Sequence, residues 1–120
     1  MAKYAILIYG DEGAAAGLSP EQQKQRMDGW WGFEAELAKQ PGVRLAGEAL
    51  QPAATATSIR LENGKALTTD GPFAETKEQL GGFYILDVKD LDEALEWATK
   101  MPMEGGTVEV RPIQEFEPPQ

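Results

Sequence analysis

Between Asp70 and Phe83 the chain reads Asp-Gly-Pro-Phe-Ala-Glu-Thr-Lys-Glu-Gln-Leu-Gly-Gly-Phe. Asp70-Gly71-Pro72 alone would make a turn. The carboxylates of Asp70, Glu75 and Glu78 and the amine of Lys77 exceed what a connection needs, and point to a site or an interface. Asp70, at a strand end, is placed to act as a base or ligand anchor in a cleft between sheet and helix. As a turn residue it would instead accept backbone N–H groups. Glu75, Lys77 and Glu78 could fix a polar ligand, form an ion-pair network or contact a second protomer. Phe73 is expected to anchor this loop in the core and to shape a substrate pocket. Gly81-Gly82 would let a ligand approach the backbone closely, or mark a bulge or a crowded crossing.

What the chain lacks narrows the chemistry. It has no cysteine and no histidine. That removes thiol nucleophiles, disulfides, Cys/His zinc sites and imidazole acid–base catalysis. A proton moved near neutral pH must pass through Asp, Glu, Tyr, Lys or a substrate group, and a carboxylate base needs its pKa raised by burial. Glu34 is a second candidate for that task. It falls inside the helical stripe Met27–Trp30–Trp31–Leu37–Ala38, where it is either desolvated or paired with Arg26 or Arg44. Trp30 would wall a pocket for a flat ligand or fill the core. Tyr9 ends an apolar strand, with its phenol in a cleft or at a barrel rim. Glu109 and Arg111 share a strand face, so Arg111 could hold a carboxylate ligand bidentately or bridge to a neighbouring acid. No nucleotide motif, metal-ligand spacing or nucleophile elbow is present, so neither metal nor cofactor is expected.

These groups need elements to position them. Tyr4–Tyr9 and Phe83–Val88 read as strands that are apolar at nearly every position. Ser19, Pro20 and Gln22 open a helix with a capping box, running to about Lys39 before Pro41-Gly42. Gly10–Gly17 reads as a small-residue loop and Val43–Leu50 as a strand. Ala56–Leu61 and Lys65–Thr69 read as a hairpin about Asn63-Gly64. Asp90 caps a helix over Leu91–Met101, whose expected buried stripe is Leu91, Ala94, Leu95 and Ala98, with Trp97 beside it. Thr107–Ile113 is a last strand. The β-α-β, β-α-β rhythm predicts an α+β ferredoxin-like sandwich, an antiparallel four-stranded sheet plus a hairpin with two helices on one face. Two helices leave the other sheet face bare, and its apolar strands need a cover. A second copy supplies it, sheet on sheet, so a homodimer is expected.

At 120 residues the chain is sized for one domain, expected over 1–113, with a flexible Pro/Glu-rich tail over 114–120. Its net charge of −9 argues against a nucleic-acid partner. No apolar run approaches the roughly 18–20 residues of a membrane span, and the N-terminus lacks a signal-peptide pattern, so a cytoplasmic location is expected.

The run from Asp70 to Tyr84 resembles the DGPF-domain proteins of the YCII-related group. Gly47-Glu48-Ala49-Leu50-Gln51-Pro52, Ala54-Thr55-Ala56-Thr57, Glu96-Trp97-Ala98 and Val108-Glu109-Val110-Arg111-Pro112 support the likeness, which spans Tyr4 to Ile113. The resemblance implies a dimeric α+β barrel of two ferredoxin-like protomers and a bacterial protein. It implies no settled activity. The His–Asp pair suspected of catalysis in some relatives has no counterpart in a chain without histidine. Two functions are compatible with it. One is a cofactor-independent small-molecule isomerase or lyase, with Asp70 or Glu34 moving a proton, Arg111 holding an anionic substrate, and Tyr9 and Trp30 shaping the pocket. The other is a non-catalytic module that binds a small ligand or a partner such as an extracytoplasmic-function sigma factor, which family gene context suggests.

Overall fold

The computed structural model describes residues 2–119. The chain forms strand β1 (Ala2–Gly10), helices α1 (Glu12–Ala16) and α2 (Pro20–Ala38), and strand β2 (Arg44–Ala49). A 3-10 turn over Ala53–Thr55 leads into β3 (Thr57–Glu62) and β4 (Lys65–Asp70). Then come β5 (Gln79–Val88), helix α3 (Leu91–Thr99) and β6 (Thr107–Pro112). Four strands form an antiparallel sheet in the order β2-β5-β1-β6, with α2 and α3 on one face. This is the expected ferredoxin-like α+β arrangement. The ribbon β3–β4 forms a separate two-stranded sheet between β2 and β5 in sequence.

Local chemistry sets the element ends. Ser19 Oγ accepts from Gln22 N at 3.1 Å and Gln22 Oε1 from Ser19 N at 2.9 Å, closing the capping box with Pro20 in the first turn. Asp90 accepts from Glu93 N at 3.0 Å and starts α3. Asn63 (φ 50°) and Gly64 (φ 77°) take the two left-handed positions of a tight hairpin turn between β3 and β4. The expected loop over Gly10–Gly17 instead contains α1. Asp11 accepts from Gly13 N at 2.9 Å and Ala14 N at 3.2 Å, so a cap and an alanine run outweigh the flanking glycines. Strand β5 starts at Gln79, four residues ahead of the expected Phe83.

One sheet face is dry. Tyr4, Ile6, Tyr84, Leu86 and Val88 meet Phe33 and Leu37 of α2 and Ala94 and Trp97 of α3, with Val43 and Met101 at the margin. Phe33 packs edge-to-face on Tyr84 (5.5 Å between centroids), Trp97 (6.1 Å) and Trp30 (5.9 Å). The inward stripe of α2 is therefore Trp30–Phe33–Leu37. Met27 and Trp31, expected to share it, are 55% and 65% exposed. On α3 the buried positions are Ala94 and Trp97, whereas Leu91 and Leu95 are exposed. In each case a neighbouring ring faces the sheet, and the helical period turns the expected residues outward.

The second face of the sheet carries Ala5, Leu7, Phe83 and Ile85 at its centre, all half-buried, with Glu48 on β2 and Glu109 and Arg111 on β6 at its sides. Residues 113–119 form no helix or strand. Met1, which opens the expected domain, and Gln120, which ends the expected tail, lie outside the described residues. Phe33→Ala should lower the unfolding free energy by about 3–5 kcal/mol, as for other buried aromatic truncations. Trp31→Ala should change it by no more than about 0.5 kcal/mol. Urea denaturation of both variants checks the inward face of α2.

Candidate functional site

The Asp70 stretch builds one wall of a cleft. Beyond β4 the chain turns at Gly71 (φ 94°), whose N–H donates to Ala56 O at 2.6 Å and whose carbonyl accepts from Ser58 Oγ at 2.7 Å. These bonds clamp the loop to the foot of the ribbon. At its far end Thr76 Oγ1 donates to Glu78 O at 2.6 Å, Gln79 Nε2 to Thr76 O at 2.8 Å, and Thr107 Oγ1 to Glu78 Oε1 at 2.7 Å. The opposite wall is the 3-10 turn, held by Glu12 Oε1, which accepts from Ala53 N at 2.8 Å. Between the walls lies a cleft of about 570 Å³ bordered by Pro72, Phe73, Thr76, Pro52, Ser58 and Tyr9, among others. Its floor is shaped by a bulge. Ile8 pairs with Gly82 but Tyr9 with Leu80, leaving Gly81 as the extra residue of β5. A side chain on Gly82 would press on Glu48 O at 2.9 Å.

The expected site residues do not gather in one place. Tyr9, Pro72 and Phe73 line the cleft. Phe73 is 91% exposed, so it does not anchor the loop in the core; the backbone bonds of Gly71 hold the loop instead. Asp70 ends the ribbon, exposed and paired with Thr57 across the strands, and stands outside a sheet–helix cleft. Glu75 and Lys77 are exposed on the loop, and no ion pair of theirs forms among the described residues. Arg111 lies on the open sheet face, where its Nη2 contacts Glu109 Oε2 at 2.8 Å and the pairing keeps the guanidinium above its ordinary range. The Tyr9 hydroxyl donates to the other Glu109 oxygen at 3.4 Å.

Glu34 and Trp30 form a second cluster, on the helix side of the sheet. Tyr84 OH donates to Glu34 Oε1 at 2.7 Å, and Arg44 Nε stands 3.0 Å from Glu34 Oε2. Arg44 also donates from Nη2 to Gly47 O at 3.1 Å and lies 5.7 Å from the centre of the Tyr84 ring. Trp30 stacks over Tyr84 at 6.4 Å. Gly47 leaves room for this arrangement, since a Cβ there would come within 2.7 Å of the Tyr84 ring. Met27, Trp31 and Glu48 complete a shallow groove of about 370 Å³ beside the cluster. Both Glu34 oxygens are engaged by donors, the geometry of a structural carboxylate rather than of a free base. Burial, reinforced by the Glu34 hydrogen bond and charge, pushes the Tyr84 phenol far above its ordinary range, with Arg44 opposing.

Sequence reasoning named Arg44 as a possible partner of Glu34 but missed Tyr84 and the wall from Leu50 to Ser58. Tyr84 was hidden in an apolar strand; the signal was a Tyr at an inward position, whose hydroxyl needs a partner. Among the described residues no three acidic side chains gather to hold a metal ion. No helix among them is long and apolar enough to cross a membrane.

Because the Tyr84 pKa is raised on folding, the associated stability is complete below the unfolded value of about 10 and is lost as pH rises through the folded one. Wild-type unfolding free energy should therefore fall more steeply above about pH 10 than that of Tyr84→Phe. At neutral pH Tyr84→Phe should cost about 1.5–3 kcal/mol, the range for a hydrogen bond to a charged group. Urea denaturation across alkaline pH, with ultraviolet titration of the phenols, measures both effects.

Comparison with known proteins gives the family. The YCII-related domain model matches residues 2–117. An uncharacterised protein of Rhizobium meliloti (strain 1021) is 36% identical over 122 residues, covering 96% of this chain and 94% of the relative. The fold, the Asp70 stretch and these matches together place the chain in the YCII-related domain family.

Proposed function

We propose that the protein is a small-molecule-binding module that works as a homodimer, its ligand held in the cleft beneath the Asp70 loop. The observation that carries this reading is the cleft itself. Its volume of about 570 Å³ suits a small organic ligand, and the Asp70 loop forms one of its walls. The lining suggests the ligand's chemistry. Leu50, Pro52, Ala53, Pro72, Phe73 and Leu80 offer apolar surface. The hydroxyls of Thr55, Ser58 and Thr76 already donate to backbone carbonyls, so toward the cleft they are acceptors. No Lys or Arg lines the cleft. An uncharged molecule with an apolar body and hydrogen-bond donors fits such a lining; a carboxylate or phosphate does not.

The homodimer reading rests on the open sheet face. Ala5, Leu7, Phe83 and Ile85 stand there only half-covered, and a second sheet is the simplest complement. The expected division into a domain over 1–113 and a tail over 114–120 belongs to the same proposal. So does a place in a bacterial cytoplasm, where ligand-dependent contact with an extracytoplasmic-function sigma factor would suit such a module.

The isomerase or lyase reading has less support. Asp70 and Glu34 stand on different elements, and neither lines the cleft, so they cannot share one substrate there. Glu78 is the carboxylate in the lining, and its Oε1 is occupied by Thr107.

The test is NMR screening of matched neutral and carboxylate-bearing aromatic fragments against the labelled protein. Neutral fragments should shift resonances of Tyr9, Thr76 and Gln79 and leave the Glu34 cluster unmoved. Phe73→Ala should weaken their binding about tenfold or more, with unfolding free energy changed by no more than about 0.5 kcal/mol. Binding confined to the Trp30–Trp31 groove, or a preference for the carboxylate fragments, would overturn the reading.

A further inference from the structure

The ribbon β3–β4 leaves the body of the protein. Its strands pack on each other and on no other element to a comparable extent, and every residue from Ile59 to Asp70 is exposed. The radius of gyration is 16.8 Å, against about 14 Å for a compact domain of this length. Yet the ribbon is not a polar loop. By strand register Ile59, Leu61 and Ala66 share one face, and Ile59 and Leu61 are 63% and 78% exposed. A lone two-stranded ribbon is marginal in water, and an apolar face left bare on it is a liability.

We propose that this ribbon is a dimerisation arm whose Ile59–Leu61 face docks on a second copy of the chain. The inference rests on the homodimer reading and adds to the open sheet a second contact region. Charge selects the occupant. Within the ribbon Arg60 and Lys65 balance Glu62 and Asp70, so the net charge of −9 lies entirely outside it. Two copies of an acidic chain meet with least repulsion through a neutral segment, whereas a basic partner would be drawn to the acidic remainder. Continuity points the same way. The foot of the ribbon, at Ser58, and Tyr9 on the open sheet face border one cleft, so a copy seated on that face lies next to the arm. The sheet alone presents four apolar side chains between charged flanks, a small patch for a stable dimer, and the arm enlarges it. A two-fold contact then docks two arms at once.

A chain without cysteine makes the experiment clean. An environment-sensitive fluorophore on Leu61→Cys reports burial of the arm, and sedimentation velocity over a dilution series gives the dissociation constant for wild type and for Ile59→Glu/Leu61→Glu. The expected result is a wild-type dimer, a blue-shifted label that turns solvent-like on dilution into monomer, and a dissociation constant raised at least about tenfold in the double variant. A dimer whose constant the double variant leaves unchanged, with a label solvent-like throughout, overturns the arm and leaves the sheet-face dimer standing. A wild-type monomer at micromolar concentration overturns both. Circular dichroism shows whether the double variant keeps its fold; if it does not, the label on the otherwise native chain decides.

Discussion

Phe33 is where the two helices and the sheet are held together. Its ring meets Tyr84 on β5, Trp97 on α3 and Trp30 one turn earlier on its own helix, each edge-to-face. Such geometry sets the positive edge of one ring against the negative face of another, which adds direction to apolar burial. The height of α2 above the sheet follows from it, and so does the position of Tyr84. With Tyr84 fixed, its hydroxyl emerges at the rim of the core, where Glu34 and Arg44 meet it. The polar cluster is thus a consequence of the aromatic one.

That dependence explains why the site residues divide as they do. Groups near the aromatic cluster are saturated: Glu34 has two partners and Arg44 is shared between a carboxylate and a carbonyl. Such groups hold structure well and are poorly free to react. Groups around the bulge at Gly81, where β5 begins, surround open space. Bulges bend strands and re-aim side chains, and here the bulge lies where β5 leaves the Asp70 loop. Rigidity and vacancy sit only a few residues apart on the same strand, at Tyr84 and at Gln79–Leu80.

Most of the fold was legible because its signals are local. A serine, a proline and a glutamine within four residues define the start of α2; Asn63-Gly64 defines the ribbon turn; Asp90 defines α3. The facing of each helix was less so. Trp30, Trp31 and Phe33 spread around α2, and the choice among them is made by partners on β5 and α3, distant in sequence. The motif loop was legible as a place of interest, but the cleft was not, because its other wall is a turn some twenty residues upstream. Phe73 looked like an anchor by type, whereas loops with enough backbone hydrogen bonds need none.

The order β2-β5-β1-β6 also has a consequence in time. The central strand β1 is the first made, yet both its neighbours come from the second half of the chain. On the ribosome it waits, apolar on both faces, until β5 emerges about seventy residues later. High sequence separation between paired strands slows folding and prolongs exposure of sticky segments. Meanwhile α2, well capped and the first long helix after β1, is the local partner that can shelter one of its faces. The order of synthesis thereby leaves β1 without either of its strand partners until β5 is made.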